Sequence, residues 1–228
     1  MTVDQYRFHL LQTSMAFAFF DYLFKAEQPD VHIFCATHEI SISTLRRRVE
    51  GFKSYLQSKG VSLNTSTWGL EGSELRIRMV MINFFILAYR GVGWPFGDRA
   101  YQGVVEESER IFKAHPHCWF TADPSLSKQD LLAFGVQRLR MAQGHLLPQE
   151  VAFTRLTQAP GATTLPDVIA ADSSQVATNE SGFFYFCRIH FLSLRDHLTS
   201  VDRWLLAHFQ QRDGIVAHFA DGLITFLD

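Results

Sequence analysis

Apolar residues recur with a helical period along most of this chain. Residues 5–26 carry Leu10, Leu11, Met15, Phe17, Phe19, Leu23 and Phe24 without a Pro or Gly, which predicts one helix with a broad apolar surface. Residues 30–37 predict a short second helix with Asp30 as its N-cap. A tight connection follows, and Ser41 can cap a third helix from Ile42 to Ser58, which Gly60 terminates. On that third helix Leu45, Val49, Phe52 and Leu56 form one apolar stripe. At 100° per residue Ser43, Arg47, Glu50 and Ser54 point away from the stripe, and Arg46 and Lys53 flank it.

The period then changes. Residues 61–74 alternate β-branched and polar positions around Gly69 and Gly72, which predicts a two-stranded hairpin. A helix over 74–91 follows and runs into Gly91-Val92-Gly93-Trp94-Pro95-Phe96-Gly97, which reads as a hinge and a domain boundary. Further helices are expected at 98–114, 127–144, 149–158, 181–197 and 200–212. Ser127-x-x-Asp130 and Thr199-x-x-Asp202 provide capping-box-like starts. The small, polar stretch 158–180 reads as a long connection with one helical turn at 166–171. The fold class expected is mainly α: a winged helix-turn-helix domain at 1–96, then an all-helical bundle domain at 97–228, with one short β-hairpin as the wing.

Composition narrows the function. With 47% hydrophobic residues and 21 Phe among 228 positions, the chain has the apolar content of a folded protein. The net charge of −2 says little, but its distribution says more. Residues 1–96 hold ten Lys/Arg and eight Asp/Glu, while 97–228 hold eleven and fifteen. Positive charge concentrates at Arg46, Arg47, Arg48, Lys53 and Lys59, with Glu50 alone opposing it. The run 79–89 is about half of the roughly 20 apolar residues that a membrane span needs, so no membrane partner is expected. The first residues lack the basic start of a signal peptide, and the three dispersed cysteines fit a reducing cytoplasm. The apolar finish Gly-Leu-Ile-Thr-Phe-Leu-Asp suggests that the native polypeptide continues.

Enzyme signatures are lacking. His115-Pro116-His117-Cys118 brings two imidazoles and a thiol together, but Pro116 extends the backbone and no second ligand cluster follows. The glycines at 91, 93 and 97 do not make a phosphate loop, because Trp94, Pro95 and Phe96 occupy it and Pro95 has no N–H. We therefore expect no enzyme, no metal and no cofactor.

The order short helix, tight turn, hydroxyl-capped basic helix and hairpin is the layout of a winged helix-turn-helix. The major groove admits one helix, whose first residues reach base edges while Arg forks onto guanine or phosphate. Ser43, Thr44, Arg46 and Arg47 are the expected base-facing residues, and Arg48 and Lys53 lie nearer the phosphates. Thr65, Ser66 and Thr67 sit at the wing. The rival reading is a helical regulatory or oligomerisation module whose basic face is merely solvated.

Further residues favour the first reading. Ser41, Ser43-Thr44-Leu45, Arg47, Leu56 and Gly60, then Leu70-Glu71-Gly72-Ser73-Glu74, Ile77-Arg78 and Trp94-Pro95-Phe96, resemble the Mga family of bacterial transcriptional regulators over residues 10–96. The resemblance implies double-stranded DNA as partner. It also implies helical domains similar to phosphotransferase-system regulation domains, with phosphotransferase-system proteins as further partners and histidines as phosphoacceptors. Residues 130–147 look like a helix of such a domain, but the Asp-His pair of the related antiterminators reads Asp130-Leu131 here. His145, which ends the helix carrying Arg138 and Arg140, is left as the candidate. A cytoplasmic homodimer is expected, joined through the region 97–228, whose Phe-rich stretch 182–194 has more aromatic surface than one helix easily buries.

Overall fold

The computed structural model describes residues 1–114, 128–148, 157 and 174–190. They form α1 (Val3–Gln12), α2 (Met15–Lys25), α3 (Val31–Thr37), α4 (Ile42–Ser58), β1 (Val61–Asn64), β2 (Gly69–Gly72), α5 (Glu74–Tyr89), α6 (Asp98–Ala114), α7 (Lys128–Ala142) and α8 (Ser174–His190). The fold is mainly helical, with a winged helix-turn-helix at its start. Two compact units divide the chain: Met1–Glu109 with Leu126–Pro148, and Arg110–Ser125 with Gln149–Asp228.

The stretch expected as one helix at 5–26 is two. Ser14 takes an extended backbone (φ −81°, ψ 120°) and its hydroxyl accepts the Phe17 N–H, while Thr13 Oγ1 donates to the Leu10 carbonyl at 2.7 Å. Paired hydroxyl residues compete with helical hydrogen bonds, and here they end one helix and cap the next. The break turns α2 inward, so that Phe19, Phe20, Leu23 and Phe24 are buried, whereas α1 buries no residue completely.

Those rings seed the core of the first unit. Phe20 meets Phe52 of α4 at 4.0 Å between centroids, Phe24 meets Phe84 of α5 at 5.0 Å, and Phe19 meets Phe34 of α3 at 5.2 Å. Edge-on and tilted packing of this kind satisfies the ring quadrupoles as well as removing area from water. Val61 and Leu63 of β1 also point inward, and the strands pair antiparallel with Val61 opposite Gly72 and Asn64 opposite Gly69.

The hairpin passes into α5 through Gly72 and Ser73. Gly72 has φ 149°, and a Cβ there would stand 3.0 Å from the Gly60 carbonyl oxygen, so the close approach of the two chain segments requires glycine. Ser73 caps α5 by accepting the Arg76 N–H. Glu74, the first helical residue, then accepts from Arg78 Nε at 2.9 Å and from Arg140 of α7 through both carboxylate oxygens, at 2.9 and 2.7 Å. Arg78 is fully buried and also donates to the His145 carbonyl at 2.9 Å. Gln143, held by Arg140, donates to the Ala26 carbonyl at the end of α2. This polar network joins α5, α7 and α2.

Trp94 and Phe96 complete the contact with α7. Phe96 packs on Phe85 at 5.0 Å, and a Cβ on Gly135 would meet Phe96 at 3.0 Å and Trp94 at 3.1 Å. α7 thus belongs to the same compact unit as the helix-turn-helix, although it follows the Gly-rich stretch in sequence.

α8 begins at Ser174, seven residues before the expected start at 181. The end of the polar run that suggested a connection is helical and buried: Asn179 and Glu180 are at most 2% exposed, like Ser181 after them, and Gln175 pairs with Asn179 one turn on. Phe183, Phe184 and Tyr185 are buried, and residues 191–194 of the Phe-rich stretch lie outside the described residues. The helices expected at 149–158 (Thr157 excepted, a turn), 166–171 and 200–212, the end of the one at 181–197, the caps at Ser127 and Thr199, and His115–Cys118 lie outside the described residues.

Replacing Glu74 by Ala leaves two guanidinium groups buried without their shared carboxylate. The expected loss of stability is about 3–5 kcal/mol, read as a lower urea midpoint, whereas Arg47→Ala on the exposed face leaves the midpoint within about 0.5 kcal/mol of the parent.

Candidate nucleic-acid interface

α3 and α4 are joined by four residues. Asp30 caps α3 by accepting the His32 and Ile33 N–H groups at 2.7 and 3.2 Å. After Thr37 the chain turns through Glu39, a non-glycine residue at φ 52°, and the Ile40 N–H returns to the Cys35 carbonyl at 3.0 Å. The turn is thereby fixed by backbone bonds. Cys35 lies under it, and burial pushes its thiol pKa up; no nucleophile is displayed there.

Ser41 starts α4. Its hydroxyl accepts the Thr44 N–H at 3.1 Å and lies 2.8 Å from Ser43 Oγ and 3.0 Å from Thr44 Oγ1. The first turn therefore presents a small cluster of hydroxyls around unpaired helix N–H groups, an arrangement suited to phosphate or base acceptors. Leu45, Val49 and Leu56 are fully buried on the opposite side, and Phe52 packs on Phe20. With that stripe anchored, Ser43, Arg46, Arg47 and Arg48 are exposed, as their spacing predicts. Thr44 and Lys53 are half-buried. Lys53 sits 3.4 Å from Glu50, so part of its charge is answered within the helix.

The wing lies beside this helix. Arg46 Nη2 reaches the Thr65 carbonyl at 3.4 Å, which brings the recognition helix and the wing tip together. Ser66 is exposed, as is Thr67, and both donate their backbone N–H to Asn64 Oδ1, at 2.8 and 3.3 Å. Asn64 in turn donates to Glu71 Oε1 at 2.7 Å. Trp68 closes the turn at φ 56°, buried edge-on against Phe19 at 5.3 Å.

Asn64, Trp68 and Glu71 shape this surface; Asn64 and Trp68 were not singled out from the sequence, and Glu71 only as part of a motif. An Asn just before a Thr-Ser-Thr run is a recognisable turn signal, because its side chain captures the amides that follow. Nothing in the local pattern announces that Trp68 is the anchor.

His145 stands apart from this surface. It follows the end of α7, where Gly144 at φ 79° sends its N–H to Met141 and the His145 N–H reaches back to the Arg140 carbonyl at 2.9 Å. Its ring is exposed, and its pKa is lowered by partial burial first and then by the Arg140 and Arg78 cations, with Glu74 pulling the other way. Among the described residues no group of His, Cys, Asp or Glu could hold a metal ion, and no helix is long and apolar enough to cross a membrane.

With this geometry in place, the comparisons are informative. Residues 1–85 match the family profile of the Mga helix-turn-helix domain. This part of the chain is thus similar to the Mga helix-turn-helix domain. The capsule synthesis positive regulator AcpB of Bacillus anthracis is 24% identical over 111 residues, which cover 46% of this chain and 23% of AcpB. The chain thus spans under a quarter of the length of that curated relative. No solved structure matches.

The residues that carry the Mga resemblance separate into two groups. Ser41, Ser43, Thr44 and Arg47 lie at the exposed start of α4, whereas Gly72, Glu74, Ile77 and Arg78 are scaffold, holding the hairpin to α5 and α5 to α7.

The sign of the His145 shift can be tested. Its neutral form is favoured in the folded protein, so the stability it contributes is present above the ordinary histidine value and is lost as pH falls below it. An NMR titration is expected to place the imidazole midpoint below about 6.5, and Glu74→Gln, which removes the attracting carboxylate, moves it lower still.

Proposed function

We propose that the chain is a DNA-binding transcriptional regulator that lays α4 in the major groove of duplex DNA and rests its wing beside it. The observation that carries this reading is the pairing of faces on α4. One side is fully buried at Leu45, Val49 and Leu56, so the other must present Ser43, Arg46, Arg47 and Arg48 outward. The match of residues 1–85 to the Mga domain and the name of the regulator AcpB support it.

In this reading Ser43, Thr44 and Arg47 approach base edges. Arg48 meets phosphate, and Lys53, partly neutralised by Glu50, contributes less. Arg46 spans the space between helix and wing, where the Thr65 carbonyl orients its guanidinium. Ser66 and Thr67 offer hydroxyls to the neighbouring backbone. Residues 1–96 read DNA and 97–228 regulate, with α7 as the element of the second region that is packed onto the first. Such a regulator works in the cytoplasm, beside the chromosome.

A salt titration of duplex binding tests the proposal. Affinity for the preferred sequence is expected to fall steeply as salt rises, with a slope that reports the phosphates neutralised. Arg47→Ala is expected to cost about 1–3 kcal/mol at the preferred sequence and less elsewhere, while Arg48→Ala weakens all sequences alike. Full DNA affinity in an Arg46→Ala/Arg47→Ala double variant that keeps the parent's unfolding midpoint would exclude α4 as the reading helix.

A further inference from the structure

The Gly-rich stretch after α5, which the proposed DNA contact does not use, borders a cleft of about 630 Å³ inside the first unit. That volume lies within the range of small-molecule sites, roughly 300–1,000 Å³. Phe85, Tyr89, Trp94, Pro95 and Leu132 supply apolar and aromatic wall, and Arg90 and Lys128 supply two cations.

Three further features give the cleft a chemical preference. The first is Trp94. Its ring lines the cleft, while its indole N–H is withdrawn from water and has no acceptor among the described residues, so the ring offers the cleft apolar and aromatic surface. The second is the state of the cations. Lys128 is exposed and has no ion-pair partner among the described residues. Its ammonium lies over the turn at Gly91, where an added Cβ would be 3.4 Å from Nζ. Among the described residues Arg90 pairs with Asp4 alone, at 3.8 Å, with both side chains about half exposed. The third is the balance of helix ends. α7 begins at Lys128, and its first two residues, Lys128 and Gln129, line the cleft, with Asp130 buried behind them. The opposing carbonyl end of α5 is already answered: Arg7 donates to the Leu87 and Ala88 carbonyls at 2.7 and 2.8 Å, and the Arg90 and Val92 N–H groups take those of Ile86 and Tyr89.

We propose that this cleft binds a small amphipathic organic anion: an aromatic or branched apolar body carrying one carboxylate or phosphate. The anionic group sits between Lys128 and Arg90, and the body lies against the rings of Trp94 and Phe85 and against Leu132. Gly91 and Gly93, at φ 77° and 79°, allow the backbone to fold back below the Lys128 ammonium where a side chain would be strained. The ligand would bridge the end of α5 and the start of α7. The site does not depend on the DNA-binding proposal.

Phenyl phosphate is the probe and benzyl alcohol its neutral counterpart, each titrated into the full chain by calorimetry and by NMR of the indole N–H signals. The Trp94 signal is assigned by its loss in Trp94→Phe. Saturable binding of phenyl phosphate at about 1 mM or tighter is expected, with the Trp94 indole signal shifting as its ring is covered. An Arg90→Gln/Lys128→Gln variant, altered only at exposed positions, is expected to bind at least about tenfold more weakly at an unchanged unfolding midpoint. Benzoate binding in place of phenyl phosphate also supports the site and selects a carboxylate ligand. The proposal is overturned by no saturable binding of either anion, by equal binding of benzyl alcohol, or by undiminished affinity in the double variant.

Discussion

Two guanidinium groups share one carboxylate at the junction of hairpin, α5 and α7, and the arrangement of the first unit depends on that contact. Glu74 sits at the first helical position after the wing, Arg78 one turn later and Arg140 near the end of α7. Each partner is nearly or wholly withdrawn from water. A buried ion pair adds little net stability compared with a well-packed apolar substitute, but breaking one is strongly unfavourable. Its contribution is therefore specificity: α7 can dock in one register only, the one that brings Arg140 to Glu74 and the His145 carbonyl to Arg78.

The aromatic core acts differently. Rings from α2, α3, α4 and α5 touch in a continuous chain through Phe34, Phe19, Phe20, Phe52 and Phe84. Apolar contacts of this kind are non-directional and tolerate some repacking, so they supply cohesion rather than register. Along one edge of the group, Lys25 joins Asp21 at 2.7 Å and Tyr89 at 2.9 Å, and burial beside the Asp21 carboxylate pushes the Tyr89 phenol far above its ordinary pKa. Directional contacts thus fix the helix ends while rings fill the space between them.

The helix-turn-helix and hairpin were legible in the sequence because each has short-range signals: Asp30 and Ser41 as caps, Gly60 as a stop, a clean apolar stripe on α4, and period-two alternation at 61–64. The outward arginines followed from the same stripe. Features that depend on distant partners were not legible. Ser14 and Thr13 break a run whose apolar pattern is otherwise unbroken, and their capping bonds are joined by the burial that α2 gains in turning, which the local pattern does not announce. The first turns of α8 looked like a linker because Asn179 and Glu180 are polar, yet they are buried and partnered. Glu74 and Arg78 were recognised as part of a family resemblance, but their role needed Arg140, which lies more than sixty positions away. At the interface Trp68 was missed for the same reason, since its anchor is Phe19.

Trp68 has a consequence of its own. A bulky residue held at positive φ and sunk into α2 costs local strain and removes slack from the turn. The wing tip cannot swing independently of the helices beneath it, and the Arg46 bond to Thr65 holds it from the other side. Helix and wing then form a gauge of fixed opening. In the proposed mode of binding, a duplex whose local groove width differs from that opening must itself deform to fit. Sequence steps that bend or narrow easily are then favoured at positions where the tip, bearing hydroxyls and no cation, makes no base-specific contact.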